Sequence, residues 1–89
     1  MTTPTPAPAT EAIAEALTQY INDDIMAAGH EITKDALFAD AGVDSMALMK
    51  VLLFVEQEYG FWIPDEDLTE DVVASAETMA VYIQNKMAG

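Results

Sequence analysis

The adjacent residues Asp44 and Ser45 carry the clearest chemistry in this chain. They follow Gly42 and open the most apolar helix that the sequence predicts. An aspartate just before a helix caps it, because its carboxylate accepts hydrogen bonds from N–H groups that the first turn leaves unpaired. Ser45 then takes the first helical position, beside the positive end of the helix dipole. A phosphate attached to its hydroxyl would meet free N–H donors and a favourable field.

The sequence supplies no catalytic partner for this serine. A serine hydrolase needs a base and usually a Gly-x-Ser-x-Gly elbow or another oxyanion hole, but the one histidine, His30, follows a predicted helix end. Cysteine is absent, which excludes disulfides, thiolate metal sites and an intrinsic thiol nucleophile. We therefore expect no enzyme activity and no catalytic residue. Any thioester would have to form on a thiol that belongs to an attached group and not to the chain itself.

The acidic segment from Asp65 to Asp71 is rich in the oxygen ligands that calcium takes. Its spacing does not match the twelve-residue calcium loop with a central glycine and a final glutamate. Loose, weak cation binding fits this segment, and a dedicated metal site does not.

The charge balance restricts the partners. The chain has 89 residues, with 16 acidic side chains against 3 lysines and no arginine, for a net charge of −13. Such a field repels nucleic acid and anionic membranes and favours basic partner surfaces, although acidity also serves solubility alone. No apolar run approaches the roughly 18 residues of a membrane span, and the N-terminus lacks the pattern of a signal peptide. The expectation is a monomeric cytoplasmic protein without a membrane span.

The chain reads as one domain over residues 10–88, preceded by a tail over residues 1–9 that holds three of the four prolines and is predicted to be mobile. The spacing of Ile13, Leu17, Tyr20 and Ile21 predicts one face of a first helix from Glu11 to about Ala28, with Gly29 and His30 as its stop. Residues 30–43 then form a long connection. Its expected apolar anchors are Ile32, Leu37 and Phe38, with a turn of helix near Leu37.

The second main helix is predicted from Ser45 to Tyr59, ending at Gly60. Steps of 100° per residue gather one side as a core stripe: Leu48, Val51, Leu52, Val55 and Tyr59. Lys50 and Gln57 lie opposite that stripe. Met46, Met49 and Leu53 share or border the outward side, which is typical of a docking surface, with coverage by a neighbouring loop as the alternative.

Beyond Pro64, Leu68 or Thr69 is predicted to begin a short helix reaching Val73. Ser75 caps a last helix from about Ala76 to Met87, whose inward residues are Met79, Ile83 and Met87. No strand-like alternation recurs. The predicted fold class is all-α: a small four-helix bundle with three main helices and a short third helix.

Several segments in the right order resemble the acyl carrier protein family over residues 11–87. The run Gly42-Val43-Asp44-Ser45-Met46 resembles its Gly-x-Asp-Ser-Leu modification site, with Met46 replacing the usual leucine. The preceding residues 32–38 and the later segments 55–60 and 63–68 are similar to the family in the same positions.

The resemblance implies that a phosphopantetheinyl transferase moves 4′-phosphopantetheine from coenzyme A to the Ser45 hydroxyl. Asp44 matches the position that helps bind the magnesium of the transferase. The attached arm ends in a thiol, which explains how a chain without cysteine would hold an acyl thioester. Acyl-loading and acyl-transfer enzymes with basic docking surfaces are the implied partners. The matching docking positions are Met46, Met49, Lys50, Leu53 and Glu56.

Two departures from the family narrow this expectation. Many members carry acidic residues two and five places after the serine, whereas this chain has Ala47 and Lys50. Changed docking charges alter partner choice, so the expected partners belong to a specialised lipid, fatty-acid or polyketide-type pathway.

Two alternatives stay open on the sequence. The chain could be an acidic helical adaptor that keeps the fold without modification, or a carrier with an aminoacyl cargo. Leu48, Leu52 and Val55 are candidates to line a space for an acyl chain, but periodicity does not distinguish a filled core from one that opens.

Overall fold

The computed structural model describes residues 8–27 and 29–88, and within them the chain is helical, with no strand. Four α-helices follow one another along the chain. They are α1 (Thr10–Asp24), α2 (Phe38–Ala41), α3 (Ser45–Tyr59) and α4 (Ala76–Ala88). A 3-10 turn occupies Asp65–Asp67. The predicted all-α, four-helix fold class is confirmed. The predicted mobility of the tail concerns residues 1–9, of which 1–7 lie outside the described residues.

The core lies between the three long helices. α1 packs mainly against α4 and less extensively against α3. The fully buried large side chains are Ile13, Leu17, Ile21, Val51, Val55, Ile63, Met79 and Ile83. All except Ile63 come from the helical faces that the spacing predicts, so burial of these faces is the main stabilising term.

The predicted end of α1 was wrong, because α1 ends at Asp24 and not near Ala28. The N–H groups of Ile25 and Met26 both donate to the carbonyl of Ile21, at 2.9 and 2.8 Å, which closes the last turn. Asp23 and Asp24 stand at the negative end of the helix dipole, where carboxylates are unfavourable. Ile25 and Met26 then pack against the core from outside the helix.

The short helix was also predicted in the wrong place. Residues 68–73 contain only a turn, in which the carbonyl of Thr69 accepts from Val72 and Val73. The short α-helix is α2, which precedes α3 in the sequence and lies close to the turn predicted near Leu37. Three carboxylates and Pro64 favour the 3-10 turn just upstream instead. Leu37 itself is 51% exposed and does not anchor the connection, although Phe38 is buried.

Hydrogen bonds hold the long connection before α3 against the rest of the bundle. The Asn22 side chain accepts from the N–H of Ile32 at 2.7 Å and donates to its carbonyl at 3.0 Å. Farther along, the N–H of Phe38 donates to the Ala74 carbonyl at 2.8 Å. Because both ends of the connection are tied down, the segment entering Ser45 has a defined position.

The helices in the described part of the chain are all too short or too polar to cross a membrane.

Candidate functional site

A tight turn connects α2 to α3 and places Ser45 at the start of α3. Gly42 follows α2 with φ of 83°, in the left-handed region that favours glycine, and its N–H donates to the Phe38 carbonyl. The N–H of Val43 donates to the same carbonyl at 2.9 Å. These bonds close α2 and turn the chain so that α3 begins two residues later.

Asp44 caps α3 as predicted. Its Oδ1 accepts from the N–H of Ala47 at 2.9 Å, and its carbonyl accepts from the N–H of Leu48 at 2.8 Å. Ser45 is the first residue of α3, and its side chain is exposed. The N–H groups of Ser45 and Met46 precede the first bond within the helix, so they remain available to a phosphate oxygen.

An open groove of about 340 Å³ adjoins Ser45. Its lining residues are Phe38, Ala39, Val43, Asp44, Ser45, Leu48 and Val73. Most of these side chains are apolar. An arm attached to the serine oxygen therefore has both free solvent and an apolar surface within reach, so the residues present fit a phosphate-linked group at this hydroxyl.

Val73 is a groove residue that the sequence reasoning missed as part of the site. It comes from the turn after the acidic segment, and Phe38 comes from α2, so the two residues are brought together only by the tertiary fold. The available signal was the apolar pair Val72-Val73 at the end of an acidic stretch, which is unusual for a wholly solvated loop.

The outward face of α3 is exposed as predicted. Met46 is 78% exposed, while Met49 and Leu53 are 49% and 47% exposed. Lys50 and Glu56 are also exposed. Clusters of exposed apolar side chains on one helix face are typical of protein interfaces.

The three acyl-chain candidates divide between two environments. Leu52 and Val55 are buried in the core, with 3% and 0% of their surface exposed. Leu48 is half-buried and lines the groove beside Ser45. A lining role for these residues stays a prediction.

The acidic segment is held to α4 by a contact that the sequence did not predict. The Tyr82 hydroxyl donates to Asp67 Oδ2 at 2.5 Å, and Lys86 Nζ lies 4.0 Å from the same oxygen. Burial raises the pKa of Tyr82 to about 12, and the hydrogen bond to Asp67 adds to this rise. Within the described ranges, no cluster of three or more His, Asp or Glu side chains forms a metal site.

Comparison with known proteins agrees with this geometry. The family described as the phosphopantetheine attachment site matches residues 15–80. An acyl carrier protein of Solidesulfovibrio magneticus is 35% identical over 75 residues, covering 83% of this chain and 94% of that protein. Aminoacyl carrier protein 1 of Bradyrhizobium diazoefficiens is 30% identical over 57 residues, covering 64% of this chain and 63% of the relative.

A similar solved structure is the Bradyrhizobium japonicum glycine:[carrier protein] ligase complexed with glycylated carrier protein. The matching chain has a TM-score of 0.59 and 28% sequence identity, over 79% of this chain and 92% of that one. The family match covers well over half of the sequence. This chain therefore belongs to the acyl carrier protein family, whose attachment-site domain carries covalently bound 4′-phosphopantetheine.

Proposed function

We propose that Ser45 is the residue that carries 4′-phosphopantetheine. The observation that carries this proposal is the exposure of its hydroxyl at the start of a 15-residue helix, beside an open groove. The other serine in the sequence, Ser75, is 4% exposed, and its Oγ accepts from the N–H of Thr78 as the cap of α4. Of the two serines, only Ser45 is exposed enough for an enzyme to reach it without unfolding a helix cap.

The residues around Ser45 have different roles at the attachment site. When bound, the phosphopantetheine group supplies the thiol that the chain lacks. The N–H groups at the start of α3 stabilise the phosphate. Asp44 is exposed and fixes the first turn through Oδ1, so its second carboxylate oxygen is not used by the cap bond. We propose that this second oxygen contributes to magnesium binding when the transferase is present.

In this proposal the protein holds acyl intermediates as thioesters and presents them to partner enzymes of a specialised pathway. The charge pattern of α3 supports a specialised pathway over the general fatty-acid enzymes. Ala47 and Lys50 occupy positions where many family members are acidic, and a lysine at a docking position disfavours a partner with a basic group there.

A second candidate is an aminoacyl carrier. It is supported by the similarity to a chain from a complex that contains a glycylated carrier protein, and by the relative named aminoacyl carrier protein 1. The filled core at Leu52 and Val55 also favours a small cargo, because a long acyl chain would have to displace packed side chains.

Attachment and cargo are tested separately. For attachment, incubation with coenzyme A, magnesium and a broad-specificity transferase should add one phosphopantetheine to the wild type and none to Ser45→Ala. An unchanged wild-type mass with several transferases would favour the unmodified adaptor.

For cargo, the melting temperatures of the holo, glycyl and octanoyl forms are compared. A small cargo that stays outside the core should leave the glycyl form equal to the holo form, and the octanoyl form should gain no stability. A clear rise for the octanoyl form alone would instead indicate that the core opens for an acyl chain.

A further inference from the structure

Lys50 is an isolated cation in an apolar surface. We define the Lys50 face as the exposed side chains of Met46, Met49, Lys50 and Leu53. The positions three and four residues from Lys50 on α3 are all apolar. They are Met46, Ala47, Leu53 and Phe54. No helical neighbour can therefore form the i,i+3 or i,i+4 ion pair that surface lysines commonly make.

The other two lysines have different surroundings. Lys86 pairs with Asp67 and lies over the Tyr82 ring, and that pair is the one salt bridge found among residues 8–27 and 29–88. Lys34 lies in the connection before α2, where its carbonyl accepts from the N–H of Glu77 on α4 at 2.9 Å. A chain with a net charge of −13 thus places an unpaired ammonium on its most apolar exposed helix face.

Docking on the Lys50 face would remove water from this ammonium. Covering an unpaired charge with an apolar surface costs several kcal/mol, whereas a carboxylate opposite the charge offsets much of that cost. A basic group at the same point would add like-charge repulsion. The energetically favoured occupant is therefore an apolar surface that carries a negatively charged hydrogen-bond acceptor.

We propose that the Lys50 face docks a partner protein whose apolar contact surface presents an aspartate or glutamate to the Lys50 ammonium. This inference rests on the proposed function, since it places a partner enzyme over the helix that begins at Ser45. It differs from the general expectation for an acidic chain, which is a partner with a basic surface. Lys50 is then a specificity-determining residue that admits acidic partners and rejects basic ones.

A second copy of this chain is a poorer occupant. Two molecules with a charge of −13 each repel one another, and the Lys50 face of a copy would bring another ammonium to the contact. Self-association through this face is one of the outcomes that the experiment below detects.

The test uses three synthetic amphipathic helical peptides that differ only at one central residue of the apolar face, which is Glu, Gln or Lys. Each peptide is titrated into the ¹⁵N-labelled full chain at about 0.1 M salt, where charges interact over about 10 Å. Chemical shifts of the amides in 46–54 report binding at the Lys50 face. The Glu peptide should bind about fivefold more tightly than the Lys peptide, as expected for a pair between partly exposed charges.

Two variants isolate the charge. Lys50→Met keeps the apolar stem and should abolish the preference for the Glu peptide, while Lys50→Glu should reverse it. Equal affinities for the three peptides, tighter binding of the Lys peptide to the wild type, or an unchanged preference in Lys50→Met would overturn the proposal. Shifts in the same amides that grow with protein concentration alone would overturn it in favour of self-association, and no shifts with any peptide would exclude docking on this face.

The attachment assay separates this proposal from the proposed function. Wild type, Lys50→Met and Lys50→Glu are each incubated with coenzyme A, magnesium and a broad-specificity transferase. If none gains a phosphopantetheine while the peptide preference holds, the carrier function fails and the docking inference stands. If all are modified and the peptides show no charge preference, the docking inference fails alone.

Discussion

The N–H of Ala47 donates a 2.9 Å hydrogen bond to Oδ1 of Asp44, and Ser45 lies between these two residues at the start of α3. The cap fixes the residue at which the helix begins. It thereby keeps Ser45 at the first helical position, where the residue is exposed. The same aspartate thus has a structural role that is independent of any role in the transferase reaction.

Replacing Asp44 separates these two roles. Asp44→Ala removes the cap and should lower the free energy of unfolding by about 1 kcal/mol, whereas Asp44→Asn should retain most of the stability because asparagine is also a good N-cap. Urea unfolding measures both. If Asp44 also contributes to magnesium binding in the transferase complex, both variants lose modification rate. An unchanged modification rate of Asp44→Asn would contradict the magnesium role.

Two adjacent leucines on α3 provide a matched test of the packing. Leu52 is 3% exposed and Leu53 is 47% exposed. Leu52→Ala should lower the free energy of unfolding by about 2 to 5 kcal/mol through the lost contacts and the cavity left behind. Leu53→Ala should change it by less than about 0.5 kcal/mol. Similar losses for the two variants in chemical denaturation would show that the face of α3 is assigned wrongly.

The contact between Tyr82 and Asp67 predicts a loss of stability at high pH. Burial raises the pKa of Tyr82 from its ordinary value near 10 to about 12, so the folded chain keeps a proton that the unfolded chain releases between these values. The stabilisation is complete below pH 10 and is lost as the pH rises towards 12. Tyr20 and Tyr59, whose pKa values are also raised by burial, add to this slope.

Tyr82→Phe should therefore reduce the fall in stability above pH 10 without removing it. At neutral pH the variant should lose about 1 kcal/mol, since it gives up a hydrogen bond to a partly exposed carboxylate. Urea unfolding at a series of pH values tests both statements. An identical alkaline slope in Tyr82→Phe and wild type would mean that the hydroxyl is not protected in the folded chain.

The uncompensated charge predicts that salt stabilises the fold. The described ranges contain one ion pair, Lys86 with Asp67, against a net charge of −13. Screening the repulsion with sodium chloride, or binding millimolar divalent cation, should raise the melting temperature. Each kcal/mol of stability gained corresponds to about 4 to 8 °C in a domain of this size. The double variant Glu70→Gln, Asp71→Asn should melt higher at low salt and respond less to added salt. A flat thermal response of the wild type would count against the repulsion.

The long helices and the attachment serine were predictable because local signals agree there. One helix is specified by Asp44 at the cap, an apolar stripe along α3 and Gly60 just after its end. Gly60 adopts φ of 79°, in the left-handed region that favours glycine. Ser75 likewise caps α4 as expected. In these segments, periodicity, capping and glycine position all support the same boundaries.

The remaining features depend on tertiary contacts that have no local signature. The apolar residues Ile25 and Met26 continue the helical spacing of α1, yet they pack against the core from beyond its end. Val73 joins Phe38 beside Ser45 although the two are 35 positions apart in the sequence, and Tyr82 bonds to Asp67, which is 15 positions away. Such pairings depend on how the connections fold back onto the helices, which single-residue preferences do not encode.

The most direct test of the account is to locate the modification on the chain. Lysine is the only tryptic residue type present, so trypsin separates the two serines: Ser45 lies in the peptide 35–50 and Ser75 in the peptide 51–86. After incubation with coenzyme A, magnesium and a transferase, mass spectrometry should find one phosphopantetheine, on the 35–50 peptide alone, and none in Ser45→Ala. Modification of the 51–86 peptide, or an unmodified 35–50 peptide after treatment with several transferases, would contradict the assignment of Ser45.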